Sequence, residues 1–299
     1  MPQDQKGIVK DGLLLSGLFL LLLASLVIPF IPMITFWLLP LPFLLLSAKS
    51  PSAAMIVSLI VLSVAFVFFP APFFVLSLFA WFMGSVMGHS YRSSKTTGTD
   101  VVLSGIVSGV VGSWVILYLG QVFHLFDWVR AVWEKESLQM EEMLKEAGAG
   151  AQTMAVLGTE TMIPPLVFSL IILMALITFF AARRWLLRQG FHRKTLPAFY
   201  EWRLPKVFFY FYLLALILAL FYFPSGGGGS GMISALAILH ELFLIQGFAF
   251  IHFLLHRRGK SGGWLIPLVL VSFITPFSLL IQFLGMIDTA TLLRQKLNK

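Results

Sequence analysis

The sequence predicts an all-α polytopic integral membrane protein, with about nine (eight to nine) transmembrane helices and an outer amphipathic helix, built as a single multi-spanning domain over residues 1–299. Three observations predict this class. Hydrophobic residues make up 59% of the chain and charged residues only 11%, where soluble domains carry about 25% charge. The apolar residues fall in runs near the ~20 residues that cross a ~30 Å hydrocarbon core, each bounded by Pro, Gly or charge. The 21 Lys and Arg residues concentrate in alternate loops, the bias that orients membrane helices.

In chain order, spans are expected near 12–31, 33–48, 52–69, 73–91, 100–123, 163–183, 205–223, 232–255 and 264–287. The first follows Lys6 and Lys10 as a signal peptide would, but Pro29, Pro32 and large residues stand where a small-x-small cleavage site belongs, so it is expected to stay as a helix. The second contains Pro40 and Pro42, which remove backbone donors and break a regular helix. Charge parity favours its crossing. With the amino terminus cytoplasmic and all nine segments spanning, the inner side holds 15 of the 21 bases, including Lys95, Arg193, Lys194, Arg203 and Arg257. Arg294, Lys296 and Lys299 then fall outside. Pro267 and Pro276 interrupt the last segment, so crossing is favoured, with a dip and return as the alternative. Trp128, Trp185, Trp202 and Trp264 lie near expected span ends, the level that an amphipathic ring prefers.

Two loops stand out. The outer one, 125–161, repeats Val129, Val132, Trp133, Met140, Met143 and Leu144 at helical spacing opposite Glu134, Glu141 and Glu142. Its acidity disfavours adsorption to anionic lipid, so it packs over the bundle, either as a lid or as a solvated connector. The inner one, 184–204, is strongly basic and interleaved with aromatic residues, and could simply lie on the membrane. Ser225–Gly231 is a flexible Gly/Ser tract of native or engineered origin, and no function is placed on it.

Within the spans, Gly105, Gly109 and Gly112 lie on small-residue rows of one helix, where a neighbouring backbone can approach closely. A substrate cavity along the same face is the functional alternative. Segment eight places His240, Glu241, Gln246 and His252 at membrane depth, where ionisable groups cost several kcal/mol and mark functional candidates. Glu241 and His252 share a helix face but lie about 16 Å apart, too far for one metal ion. Leu244 occupies the position of the second histidine of a His-Glu-x-x-His zinc site. With no phosphate-binding loop and no nucleophile elbow, the chain offers no catalytic set, no metal site and no identifiable cofactor. Six histidines but no cysteine exclude disulfides and thiolate chemistry. The net charge of +8 follows from cytoplasmic-loop bias and does not call for nucleic acid.

Three sequence words carry a resemblance: Phe199-Tyr200-Glu201-Trp202-Arg203-Leu204-Pro205, then Leu242-Phe243-Leu244-Ile245-Gln246-Gly247 with Phe250-Ile251, and Leu284-Gly285-Met286-Ile287-Asp288. With them the chain resembles the YybS-like family of bacterial membrane proteins, and more distantly the S components of energy-coupling factor transporters. The resemblance implies a bacterial cytoplasmic-membrane location and an encoding often beside the membrane-bound cyclic-di-AMP phosphodiesterase GdpP. The first helix offers only Ala24 where S components carry an Ala-x-x-x-Ala docking motif.

Two functions follow as expectations. The first is a substrate-binding or uptake-type transport subunit working with lipid, and with a separate energising module, through Glu241, His240, Gln246 and His252. The alternative is a regulatory or scaffold protein that presents Glu201, Trp202 and Arg203 to a membrane partner such as GdpP.

Overall fold

The computed structural model describes residues 5–122, 159–222, 230–291 and 293–297, with a few isolated positions between 123 and 158. The outer amphipathic loop and most of the Gly/Ser tract lie outside the described residues. Every regular element among them is helical. The chain forms two compact units, Met1–Lys135 with Phe168–Leu196, and Glu136–Val167 with Pro197–Lys299.

Among the described residues, six stretches are long and apolar enough to cross a membrane: Pro32–Lys49, Pro51–Phe68, Ala71–Arg92, Gly98–Gly120, Ile163–Arg188 and Gly231–Arg257. Three of the nine expected spans are not among these six. Helix α1 (Gln5–Ser25) carries Lys6, Lys10 and Asp11 in its first turns, which leaves an uncharged stretch of roughly 21 Å. The seventh is the apolar helix Lys206–Phe221. The ninth is divided in two, as its prolines require.

In the first unit, the second expected segment is interrupted. It consists of α2 (Pro32–Thr35), a 3-10 turn at Phe36–Leu38, and α3 (Leu41–Lys49). Pro40 and Pro42 sit at the start of α3, where missing N–H groups cost nothing. Freed backbone groups find partners, as a water-free surrounding demands. The buried Thr178 hydroxyl donates to the Trp37 carbonyl at 3.1 Å, and the Trp37 indole donates to the Met33 carbonyl at 2.7 Å. Residues Leu41–Ala48 are all buried, and α3 rests against α5 (Ala71–Arg92) across Gly84 and Gly88. A Cβ on either glycine would run into a backbone carbonyl of the segment, that of Pro40 or of Leu44. Phe19, Leu22, Leu39, Phe43, Val61 and Ala80 fill the core beside it. Arg92 donates to the Lys49 carbonyl at 2.9 Å, capping α3, and the Lys49 ammonium pairs with Asp11 at 2.8 Å.

Helix α4 (Pro51–Phe68) buries only a stripe, Ala54, Ser58, Val61, Leu62 and Ala65, and turns Met55, Ile56, Leu59, Ile60 and Phe66 outward. An apolar face of that extent on a long helix is a lipid-facing surface. Helix α6 (Gly98–Val122) buries Val101, Gly105, Ser108, Gly109 and Gly112 on one face and exposes Leu103, Val107, Val111 and Trp114 on the other. Helix α7 (Thr159–Arg188) ends in a Gly190 turn at φ 82°, with Phe191 N–H reaching the Leu186 carbonyl at 3.1 Å.

In the second unit, α8 (Lys206–Tyr222), α9 (Ser230–Arg257), α10 (Leu265–Ser272), α11 (Thr275–Ala290) and the short α12 (Leu293–Leu297) follow in order. Gly247 of α9 and Gly285 of α11 form the closest contact. A Cβ on Gly247 would strike the Ile281 carbonyl, and one on Gly285 the Phe243 carbonyl. The ninth segment begins and ends against the same half of α9. At its start, a Cβ on Gly262 would lie 2.9 Å from His252 Nε2; past its end, the Arg294 guanidinium lies 5.2 Å from the Phe253 ring centre. A single straight crossing would have separated those ends. Instead the break at Phe273–Ile274 brings both to one end of the helix.

The two glycine seams rank a set of substitutions. Alanine at Gly88 or Gly247 meets backbone and should cost at least the ~1–3 kcal/mol of an overpacked core. Alanine at Gly112, 3.1 Å from a Phe79 ring atom that can rotate away, should cost less. Melting temperatures in detergent should fall in that order, and equal melting for Gly88→Ala and wild type would exclude the close approach.

Candidate functional site

The three resemblance-bearing words, separated by up to about 90 residues, meet in the second unit. The meeting point is the Asp288 carboxylate, which is fully buried, beside Arg294 and Gln246, which are 8% and 2% exposed. Helix α11 ends at Ala290, Thr291 is extended, and the chain folds back so that Arg294 reaches the residue six positions earlier. The Arg294 guanidinium donates Nε to Asp288 Oδ1 at 2.9 Å and Nη2 to Oδ2 at 2.6 Å. This fork geometry is the strong form of the carboxylate pair. The remaining Nη1 donates to the Tyr200 carbonyl at 2.6 Å.

Gln246 completes the cluster. Its amide nitrogen donates to Asp288 Oδ2 at 2.5 Å and to the Trp202 carbonyl at 3.3 Å. Its oxygen accepts the Leu204 N–H at 3.0 Å. The hydrogen bonds of all three groups run to one another and to the backbone of residues 200–204, which is what a buried ion pair needs to offset its desolvation. The Phe250 and Phe253 rings lie 5.8 Å and 5.2 Å from the guanidinium and complete its cover.

The segment held there is ordered residue by residue. Phe199–Glu201 form a 3-10 turn in which the Glu201 carboxylate accepts the Ala198 N–H at 3.2 Å. The Trp202 indole donates to the Pro197 carbonyl at 3.1 Å, and Arg203 donates to the Thr291 carbonyl at 2.7 Å. Glu201 and Arg203 remain exposed. Tyr200 stacks on His256, with ring centres 4.1 Å apart, and meets His252 edge-on at 5.6 Å.

The polar residues expected in segment eight do not share one site. Gln246 faces Asp288, while His240 Nε2 lies 3.0 Å from the Tyr212 hydroxyl of α8. Glu241 is half-buried and is not without a partner. His252 lies among Phe199, Tyr200 and the Gly262 turn, and its Nδ1 is buried without a hydrogen-bond partner among the described residues. No group of three or more metal-ligating side chains occurs among the described residues. In the first unit, Gly105 faces Met87 and Ala175, Gly109 faces Ile171, and Gly112 faces the Phe79 ring.

Asp288 and Arg294 were not expected as a pair: Arg294 lies beyond the last expected span, and Asp288 enters only as the end of a resemblance-bearing word. The available signal was an acid at the end of an apolar helix with a base six residues later, across a Thr-Leu break.

Removing one partner strands a buried charge, so Asp288→Asn and Arg294→Met should each destabilise the protein by about 3–5 kcal/mol. The double variant should lose less than the sum of the two. Chemical denaturation in detergent measures all three, and strict additivity would show that the pair does not act as a unit.

No curated protein and no solved structure matches this chain. A family match does extend from residue 18 to residue 289 and takes in the glycine seams, the 199–205 segment and Asp288. The chain belongs to the family described as Predicted membrane protein (DUF2232).

Proposed function

We propose that this is a regulatory or scaffold protein of the bacterial cytoplasmic membrane, which presents Glu201, Trp202 and Arg203 on a rigid support to a membrane partner. The observation that carries this reading is the clamping of residues 200–204 from beneath by Gln246, Asp288 and Arg294. A segment ordered before binding loses little entropy when a partner docks, so its exposed charges and aromatic ring act as preorganised anchors. Gln246, by contrast, already commits both amide N–H groups and one oxygen lone pair to the fold, which leaves it no donor for a transported ligand. The YybS-like resemblance makes the phosphodiesterase GdpP the first partner to test.

With this reading goes a topology in which the amino terminus is cytoplasmic and the ninth segment dips and returns. That arrangement, with eight crossings, puts Arg294, Lys296 and Lys299 with the other 15 inner bases and removes the one discord in the charge distribution. The shared position of Gly262 and Arg294 on α9 supports it. Cysteines at the exposed positions Lys95 and Gly259, and one added after Lys299, should all resist an impermeant thiol reagent in intact cells. Labelling of the last alone would restore nine crossings.

A second reading, a substrate-binding uptake subunit resembling an S component, draws on the Tyr212–His240 pair beside half-buried Glu241 in an otherwise apolar helix pair. The two readings separate experimentally. In co-purification of the full chain with GdpP, Glu201→Arg and Arg203→Glu should each reduce recovery about thirtyfold, the scale of an interface hot spot, while stability falls by only the ~1 kcal/mol of one exposed hydrogen bond. Full recovery by both variants, together with a small molecule that co-purifies with wild type and is lost in Glu241→Gln, would replace the scaffold reading by uptake.

A further inference from the structure

The first unit holds a cleft of about 310 Å³ between the turn joining α5 to α6 and the chain following α7. Lys194 forms its base. The residue is 6% exposed, and its ammonium donates to the Ser93 carbonyl at 2.6 Å, the Thr96 carbonyl at 2.5 Å and the Thr96 hydroxyl at 2.5 Å. All three protons go to neutral oxygens, and the Tyr91 ring lies 5.7 Å away. Among the described residues no carboxylate bonds this ammonium; desolvation by burial holds its pKa below the usual lysine value, with Asp100 opposing that shift. Asp100 itself is exposed, and its carboxylate is bound to the Thr97 N–H and hydroxyl at 2.7 and 2.9 Å.

The other polar groups lining the cleft are of matching kind. Arg92, His192 and Arg193 are exposed there, with the hydroxyls of Ser94 and Thr97 beside them, and no acidic residue lines it. Arg92 commits one Nη to the Lys49 carbonyl, which fixes the side chain and leaves the rest of its fork free. Gly98 admits the Thr195 carbonyl so closely that a Cβ would lie 2.6 Å from it, which keeps the two walls together. The volume is enough for a phosphate with a small substituent.

We infer that this cleft binds a phosphate-bearing ligand, either an anionic lipid headgroup or a small soluble phosphate compound, through Arg193 and Arg92 above the buried Lys194 charge. The inference stands apart from the function proposed for the second unit. Its binding groups are two bases with planar forks and the Ser94 hydroxyl, which suit a tetrahedral anion with several acceptor oxygens.

The test uses the full chain in a neutral detergent. Inorganic phosphate is titrated against melting temperature at an ionic strength held constant with chloride, and retention of added phosphatidylglycerol is followed by native mass spectrometry. Arg193 is exposed, so Arg193→Gln should melt like wild type without ligand. The expected result is binding of one probe that weakens about tenfold in Arg193→Gln. Stabilisation by inorganic phosphate without preferential lipid retention identifies a soluble ligand; retention of phosphatidylglycerol over phosphatidylcholine, with weak phosphate competition, identifies a lipid. Binding of neither probe above the chloride control, or equal binding by wild type, Arg193→Gln and Arg92→Gln, would overturn the site.

Discussion

A carboxylate and a guanidinium buried together must be satisfied almost completely, because each loses several kcal/mol of hydration on leaving water. In the second unit, the Asp288–Arg294 pair imposes that demand and the surrounding chain meets it. Arg294 can reach Asp288 only because helix α11 stops and Thr291 extends. Asp288 can reach Gln246 only because α9 and α11 touch through Gly247 and Gly285. Side chains at those glycines would push the helices apart by more than the slack in a 2.5–3.0 Å hydrogen bond. The glycine seam and the ion pair are therefore one device. Residues 200–204 form its third part, since they supply the carbonyls and the N–H that the Arg and Gln would otherwise lack.

The first unit meets a related demand without an ion pair at its centre. Prolines free backbone groups in the segment Pro32–Lys49, and partners come from Thr178 and the Trp37 indole. The close approach again depends on glycine, here Gly84 and Gly88. An interrupted segment is tolerated in a membrane when protein surrounds it, and Leu41–Ala48 are buried throughout. Lys194 plays the organising part at the turn between α5 and α6, drawing two carbonyls and a hydroxyl toward one charge.

Much of this architecture was legible in the sequence. Apolar runs and charge bias gave the class and most helix positions, because hydrocarbon imposes a length and allows few charges. Small residues at Gly105, Gly109 and Gly112 marked a face that is buried, yet the same logic applied to Gly84-Ser85-Val86-Met87-Gly88 would have found the α3–α5 contact. Arg-Gln-Gly at 188–190 and Arg-Arg-Gly at 257–259 are helix stop signals, and both glycines take positive φ. The partner of Asp288 was legible only with the helix end at Thr291 foreseen. A base six residues on is out of reach along a helix, and only the break at Thr291 brings it back. Periodicity also could not tell a crossing segment from a divided one, since both have the same composition.

The placement of Gln246 bears on what kind of protein this is. At membrane depth, a polar side chain earns its retention either by meeting a ligand or by meeting the rest of the protein. Gln246 donates twice and accepts once, entirely within the fold, and a ligand could claim it only by releasing residues 202–204 and stranding Asp288. That displacement would cost more than one polar ligand contact returns. The cluster is thus suited to holding a shape rather than exchanging a substrate, and the shape it holds is the exposed edge formed by Glu201 and Arg203. Where segment eight could still exchange a ligand is one and a half turns earlier, at His240, whose ring nitrogen meets Tyr212 of α8, and at the adjacent Glu241. The Glu201–Arg203 edge at one end of α9 and the His240–Tyr212 pair further along it are therefore structurally separate, because no hydrogen bond of the Asp288 cluster runs to His240 or Tyr212 among the described residues.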